Sequence, residues 1–542
     1  MRKMKYYFII LSFLLLSCCT GCESYNKKGA SELPESQIII VYDNDVHCAV
    51  DGYAKLAGLR EQQRMHTPYV TTVSCGDFVQ GDVVGSVSQG EKIVDIMNQV
   101  GYDVVTLGNH EFDFGMSQLF KLTDALEASV TCANFRDIRA DKQPFTAYRI
   151  IRYGDVDIAY IGFTTTTTFT KVSPKTFQDE SGTIIYDFMQ ADFYQRAQRC
   201  IDEARAEGAD YVIALSHLGD MDRGEHASSI ALIRNTVGLD VVLDGHDHHV
   251  IPDTLVHNQQ GKPVLLASTG TKFANVGLLT LSTEGEFTSR LVATEETSAD
   301  KEVQMFVDEI KEKALADGRR VVGYNEVDLS IYDEKGNRLV RSQETPIGNF
   351  CADAFRKILN TDVAMINGGG IRSDILQGEL TFNHLMAVFP FNNTACTATM
   401  TGQQLLDALE LSVSFLPEED GTFMQVSGVK FNVDTSVPSP VVWDDKGLFS
   451  RVGDGKRRVS NLLVLDRMTG GYWPVDLNRN YTLASFDYQL KELGCSGIFR
   501  YAGLKEDNLA QDVEVLSIYI ERALNGRIGQ QYADVEGRIQ IK

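Results

Sequence analysis

Between residues 36 and 295, short runs of Val, Ile and Leu recur, and five of them finish in side chains able to hold a metal ion. "IIIVYDNDVH" ends in Asp45 and His47, "YVTTVSCGD" in Asp77, "DVVTLGNHE" in Asn109 and His110, "YVIALSHLGD" in His217, and "LDVVLDGHDHH" in His246 and His248. Continuous apolar runs of this kind fit strands buried on both faces. Between them, "GEKIVDIMNQVG" and "ADFYQRAQRCIDEARAEGAD" have helical spacing and reach a Gly at the end, so the pattern predicts an α/β sheet. In open α/β sheets ligands collect beyond the carboxyl ends of the strands, which would bring these side chains to one rim. Taken singly, an Asp at a strand end is more often a helix cap and a His more often a satisfied polar group. Repetition at the same end of five runs reverses that weighting.

The donors are imidazoles, carboxylates and one carboxamide, without paired thiolates. That mixture suits Zn, Mn, Fe or Co and fits neither an EF-hand nor a zinc finger. So many donors over-supply one ion. Two divalent ions about 3.5–4 Å apart, sharing one carboxylate, would use them all and activate water for in-line attack on phosphorus.

The chain has 542 residues, which predicts two large domains. Its formal net charge of −23, from 74 acidic against 51 basic residues, disfavours a nucleic acid polymer as partner. A small anionic ester remains compatible where metal ions or arginines invert the local field. The first residues read as an address: basic Arg2, Lys3 and Lys5, then apolar "YYFIILSFLLL", then "LSCCTGC". This resembles a bacterial lipoprotein signal with lipid on Cys18 or Cys22, and predicts an exported protein anchored at the periplasmic or cell-surface face of a membrane. Polar "ESYNKKGASELPES" would be the tether, and the bland alternative is a plain cleaved secretory signal. The other cysteines, Cys48, Cys75, Cys132, Cys200, Cys351, Cys396 and Cys495, have no spacing pattern and are predicted to be mostly buried thiols. The "TTTTT" run at residues 164–168 is predicted to be a loop after a strand.

"SADKEVQMFVDEIKEKALADGRR" is predicted to be a charged amphipathic helix connecting two domains. Beyond it, "FCADAFRKILN" and "TGQQLLDALELSVSFL" predict helices, and "VKFNVD" and "NLLVLD" predict strands, an α+β pattern. The expected division is a signal at 1–22, a tether at 23–36, a metal-bearing domain at 37–295, a linker helix at 296–322 and a substrate-binding domain at 323–542. In the second part, "NGGGIR" sets Asn367 and Arg372 around Gly369 and Gly370. Backbone amides there can approach an anion while a guanidinium grips it, although such a run alone is more often just a turn.

The order D-x-H, G-D, G-N-H-E-F-D, H, G-H-x-H resembles the calcineurin-like metallophosphoesterases. Together with "NGGGIRSDI" and "FPFNNT", it resembles the 5′-nucleotidase, 2′,3′-cyclic phosphodiesterase and UDP-sugar hydrolase family over nearly the whole chain after the tether. The resemblance implies a four-layer N-terminal domain, a β-sandwich flanked by helices, joined by a helix to a C-terminal α+β domain. It implies that Asp45, His47 and His248 hold one ion, that Asn109, His217 and His246 hold the other, and that Asp77 bridges them. His110 would then be catalytic rather than a ligand, oriented and kept charged by Asp113. Glu111 is expected to brace the turn.

The resemblance also implies that Arg341, Asn367, Gly369, Gly370 and Arg372 contact the nucleotide, and that Phe391 stacks on its base. Without it, Phe391 would read as a core residue. The chain departs from the family pattern at Gln343 and Pro346, and "GCSGIF" offers Phe499 as the second stacking ring one place late. The expected activity is therefore an extracytoplasmic 5′-nucleotidase releasing nucleoside and phosphate. The alternatives are UDP-sugar hydrolysis, 2′,3′-cyclic nucleotide hydrolysis, and a binding lipoprotein without turnover.

Overall fold

The computed structural model describes residues 35–179, 181–221, 226–444 and 446–542. Cys18, Cys22 and the signal predicted around them lie outside the described residues. Ile38–Asp43, buried throughout, sits inside a six-stranded sheet. It runs parallel to Val70–Ser74, then Val104–Thr106, then Ser129–Thr131, while Asn275–Leu281 and Phe287–Ala293 continue the other side antiparallel. A second six-stranded sheet has Val156–Thr164, Tyr211–His217, Val241–Leu243 and Pro263–Thr269 as its parallel centre, with antiparallel Tyr148–Tyr153 and Val250–His257 at its edges.

Residue alternation along these strands builds the layers. Ile38, Ile40 and Tyr42 point between the two sheets and meet Tyr160, Ile213 and Leu243. Ile39 and Val41 point the other way, onto the helices Asp51–Arg64 and Glu91–Val100 through Leu56, Ile93 and Ile96. The helices Phe193–Ala206 and Ser229–Asn235 cover the outer face of the second sheet. The result is helix, sheet, sheet, helix, the four-layer arrangement expected from the sequence.

The charged helix spans Lys301–Leu315, with the Asp300 side chain capping the N–H groups of Glu302 and Val303. One face of it is packed. Its stripe of Val303, Val307 and Ile310 is buried in the same cluster as Leu56 and Ile93, because an apolar stripe at helical spacing has to find a partner. The chain then passes a turn at Asp317–Arg319 and enters the strand Val321–Asn325 of the second half.

The second half centres on a five-stranded sheet ordered Met424–Ser427, Val363–Asn367, Asn480–Phe486, Ala395–Thr401, Gly503–Glu506. The helix Pro346–Ile358 packs on it, started by the Thr345 side chain accepting from Gly348 N, with Pro346 at a position that needs no donor. Pro346, a departure from the family pattern, is thus a helix-start residue. The seven cysteines among the described residues are buried free thiols, as expected. Thr164 ends a strand and Thr168 begins the short helix Thr168–Lys171, so only the middle of the threonine run is loop. Among the described residues no helix is long and apolar enough to cross a membrane.

Phe355 is fully buried and meets Phe389 and Phe486 edge-on, with ring centroids 6.2 and 5.1 Å away. Phe355→Ala is expected to cost about 3–5 kcal/mol. The check is a lower denaturant midpoint for the unfolding of the second half.

Candidate metal centre

The five predicted strand ends meet. Asp45, His47, Asp77 and His217 are almost wholly buried, and their ligand atoms converge. His217 Nε2 lies 3.1 Å from Asp77 Oδ2 and 3.7 Å from Asp45 Oδ1. His248 Nε2 lies 3.5 Å from Asp45 Oδ1 and 3.0 Å from His47 Nε2. Three groups, Asp45–His47–His248, Asp45–Asp77–His217 and His47–Asp77–His110, each keep their ligand atoms within 4.8 Å. The His246 ring stands edge-on to that of His217, 5.3 Å between centroids.

Local backbone geometry explains how short turns aim so many donors inward. Asp45, His47, Asp77, His246 and His248 all have positive φ, between 44° and 84°, a left-handed conformation that costs non-glycine residues of order 1 kcal/mol each. The rings are held from behind. Nδ1–H of His47 donates to Gln80 O at 3.1 Å and that of His217 to Cys75 O at 2.6 Å, which fixes both tautomers with Nε2 facing the centre. Glu111 is the brace expected from the sequence. Its buried carboxylate accepts from the N–H groups of Asp77, Phe78, Val79 and Gly108, tying two strand ends together.

The donor set fits a pair of cations. His47 and His248 are held well below the ordinary histidine range, His47 by burial and then by Arg372, His248 by burial and then by His47. Two neutral imidazole nitrogens therefore face each other at 3.0 Å. Burial opposes charge on His217, yet Asp77 and Asp45 outweigh it and push the ring up to about 10. Buried Asn109 Oδ1 lacks a hydrogen-bond partner, as an inward-facing ligand atom would. These residues suit a shared divalent pair, and Asp77 is flanked on both sides.

His110 and Asp113 stand beside this cluster. His110 N–H donates to Asp77 Oδ1 at 2.8 Å, and its ring Nδ1 is 2.5 Å from Asp113 Oδ2. Burial pulls the His110 ring down, but Asp113 and Asp77 raise it above the ordinary value and favour imidazolium. Only Nε2 is left to face the cavity. That cavity, about 1300 Å³, lies between the two halves and is lined by Asp77, Asn109, His110, Asp113, His246 and His248 from the first.

The second half contributes Arg341, Asn367, Gly369, Gly370, Arg372 and Phe391 to the same cavity, all expected from the sequence. The Phe391 ring is 6.0 Å from that of His110 and 5.7 Å from the Arg372 guanidinium. Arg341 is pushed well below its ordinary value by burial and by Arg338 and Arg372, and its buried Nε has no partner. A buried guanidinium with an open donor in a polar cavity suits an anion. Asn367 Oδ1 is likewise buried without a partner.

Phe499 does not line this cavity. It is 1% exposed and packed in the core with Leu405, Phe449 and Ile498. Tyr488 lines the cavity instead, at the start of the turn after Asn480–Phe486. Arg338, Phe415 and Trp443 were also missed, and all line the cavity. Arg338 sits three residues before Arg341 and grips Glu419 through both its Nε and its Nη2, a spacing that could have revealed it. Gln343 is not among the lining residues; its carbonyl accepts from Gln425. A fourth group, Asp220, Asp247 and His249, lies at a more exposed rim, with Asp220 and His249 paired at 2.8 Å.

Strand-end carboxylates and imidazoles on a four-layer α/β sandwich define a metallophosphoesterase. Residues 321–500 match the family profile described as "5′-nucleotidase, C-terminal domain", and residues 70–267 match that described as "Bacterial capsule synthesis protein PGA_cap". A 5′-nucleotidase of Vibrio parahaemolyticus is 24% identical over 538 residues, covering 88% of this chain and 92% of that protein. The trifunctional nucleotide phosphoesterase YfkN of Bacillus subtilis is 27% identical over 440 residues, covering 73% of this chain, which spans only 29% of that longer protein. The structure of a 5′-nucleotidase precursor from Thermus thermophilus superposes with a TM-score of 0.79 at 25% identity, covering 93% of this chain and 99% of that one. Residues 321–500 carry the C-terminal domain of the 5′-nucleotidase family, and over most of its length the chain is similar to 5′-nucleotidases, which are hydrolases. It has the family's N-terminal metallophosphoesterase part and C-terminal nucleotidase part.

Glu111→Ala strands four buried N–H groups, each costing about 1–3 kcal/mol. The variant is expected to melt at lower temperature and to bind less than the full complement of metal, measured by differential scanning calorimetry and elemental analysis.

Proposed function

We propose that the chain hydrolyses the phosphate ester of a nucleotide held between its two halves, releasing nucleoside and phosphate. The observation that carries this is the meeting of His110 and Asp113 from one half with Arg372 and Phe391 from the other, over one rim of metal-competent side chains. Asp45, His47 and His248 would hold one divalent ion and Asn109, His217 and His246 the other, with Asp77 between them; Zn, Mn, Fe and Co all suit the donors. When bound, such a pair supplies Lewis-acid polarisation of the phosphoryl group and an acidified water for attack.

The chain's own residues do the rest. Arg341, Arg372 and the Asn367–Gly370 turn bind and orient the phosphate and ribose, with Arg338 beside them. Phe391 and Tyr488 offer aromatic faces to the base, which tolerate any base because each has a π face. His110, oriented by Asp113, presents Nε2–H to the phosphate, where it offsets growing negative charge and hands its proton to the leaving oxygen. A cavity of about 1300 Å³ exceeds the usual range for small-molecule sites, which favours nucleotide sugars as a second substrate class. We propose further that the chain is exported and held to a membrane by lipid on Cys18 or Cys22, on the composition of residues 1–22, and that it divides into a metal-bearing domain at 37–295, a linker helix at 296–322 and a substrate-binding domain at 323–542.

The test is phosphate release from 5′-AMP, 2′,3′-cyclic AMP and UDP-glucose by Mn²⁺- or Zn²⁺-loaded enzyme. Turnover of 5′-AMP supports the proposal, and inactivity on all three with metal bound defeats it. His110→Ala is expected to keep its metal and lose about 10²–10⁴ in kcat, the range for general acid catalysis. Asp77→Ala is expected to lose metal. In Asp113→Asn the carboxylate no longer holds the imidazolium, so the alkaline limb of the rate profile is expected to move to lower pH.

A further inference from the structure

The short helix Thr168–Lys171, at the end of the threonine run, reaches across the cavity to the second half at two points. The Lys171 ammonium donates to Asp420 Oδ2 at 2.8 Å, and the Lys171 carbonyl accepts from the Tyr488 hydroxyl at 3.0 Å. Neither contact ends there. Asp420 N–H donates to Arg341 O at 3.2 Å, and the carbonyl of the next residue, Gly421, accepts from Asn367 Nδ2 at 3.2 Å and Gly369 N–H at 3.1 Å. One lysine thus holds the back of the Asn367–Gly369 turn and, on the other side, a ring that lines the cavity.

The ion pair is not an ordinary surface one. The Asp420 side chain is 12% exposed and that of Lys171 32%. Burial raises the Asp420 carboxyl, yet Lys171 and the Thr422 hydrogen bonds bring it down to about 2. Glu419, the neighbouring acid, is engaged by Arg338, while Lys171 is the cation hydrogen-bonded to Asp420, and Arg341 lies within electrostatic reach of both acids. Around Gly369 there is little slack, since a Cβ there would lie 2.9 Å from Gly421 Cα.

We infer that Lys171 is a specificity-determining positioning residue: by clamping Asp420 and Tyr488 to the metal-bearing half, it sets the Asn367–Gly369 turn and the Tyr488 ring against the metal rim. This rests on the preceding proposal that a nucleotide occupies the cavity. Lys171 itself touches no reacting atom in this scheme. Its loss acts on nucleotide binding more than on bond cleavage, and an ester without base or ribose is spared most of the effect.

The experiment uses the full, metal-loaded chain as wild type, Lys171→Met, Asp420→Asn, Tyr488→Phe and the charge-reversed double variant Lys171→Asp/Asp420→Lys. In Lys171→Met and Asp420→Asn, KM for 5′-AMP is expected to rise about tenfold with kcat little changed, the size of effect for a half-buried charge pair. kcat/KM for p-nitrophenyl phosphate is expected to fall far less. Tyr488→Phe keeps the ring but loses its tether and is expected to raise KM for 5′-AMP as well. The double variant is expected to recover most of the loss, which separates a lost clamp from misfolding. Hydrogen–deuterium exchange without substrate is expected to quicken at residues 420–424 and around Tyr488 in Lys171→Met. Equal losses on both esters, no rescue by charge reversal, or unchanged exchange at both segments would overturn the inference. If wild type fails to turn over 5′-AMP, the functional proposal falls, and the exchange measurement alone still decides the clamp.

Discussion

Two carboxylates, Asp45 and Asp77, are buried at the ends of adjacent strands inside a ring of imidazoles, and much of the molecule is arranged around that concentration of charge. Burying anionic groups without a cation is costly. Asp45 answers with a carboxyl pushed up by burial to about 7, and Asp77 with one held well below the ordinary range because His217 and His110 outweigh its burial. The left-handed turns, the Glu111 brace and the backbone carbonyls behind His47 and His217 serve to hold donors where repulsion and strain would scatter them. Such an arrangement stores a demand for positive charge, which a divalent pair would meet.

The same demand shapes the cavity. Arg338, Arg341 and Arg372 face it from the second half, and the field between guanidiniums and metal-competent rim suits a phosphate group better than a neutral ligand. This also reconciles a chain of net charge −23 with an anionic substrate, since the local field and not the total decides. Buried polar atoms left open, Asn109 Oδ1 in the rim and Arg341 Nε and Asn367 Oδ1 opposite, mark the two sides of the space that the proposed metals and nucleotide share.

The rim was legible in the sequence because two independent regularities coincide there: apolar runs of strand length, and rare donor types at the same end of each. Glu111 was legible as a brace because its neighbours already had other roles. The second half was less so. Tyr488 follows a strand in "SFDYQ", where nothing in residue type separates a cavity wall from a core ring, and Phe499 lay nearer the expected motif but is packed into the sheet beneath it. The helix Lys301–Leu315 was legible as charged and amphipathic, since its charges are what a solvated face carries. Only its narrow stripe of Val303, Val307 and Ile310 tells that one face is packed. Lys171 carried no signal at all, since its partners are 249 and 317 residues away.

Anomalous diffraction from crystals grown with Mn²⁺ tests the central claim most directly. The account predicts two peaks, one bounded by Asp45, His47 and His248 and one by Asn109, His217 and His246, with an Asp77 oxygen shared between them. A single peak, or a pair held by other side chains with Asp77 bound to neither, would contradict it.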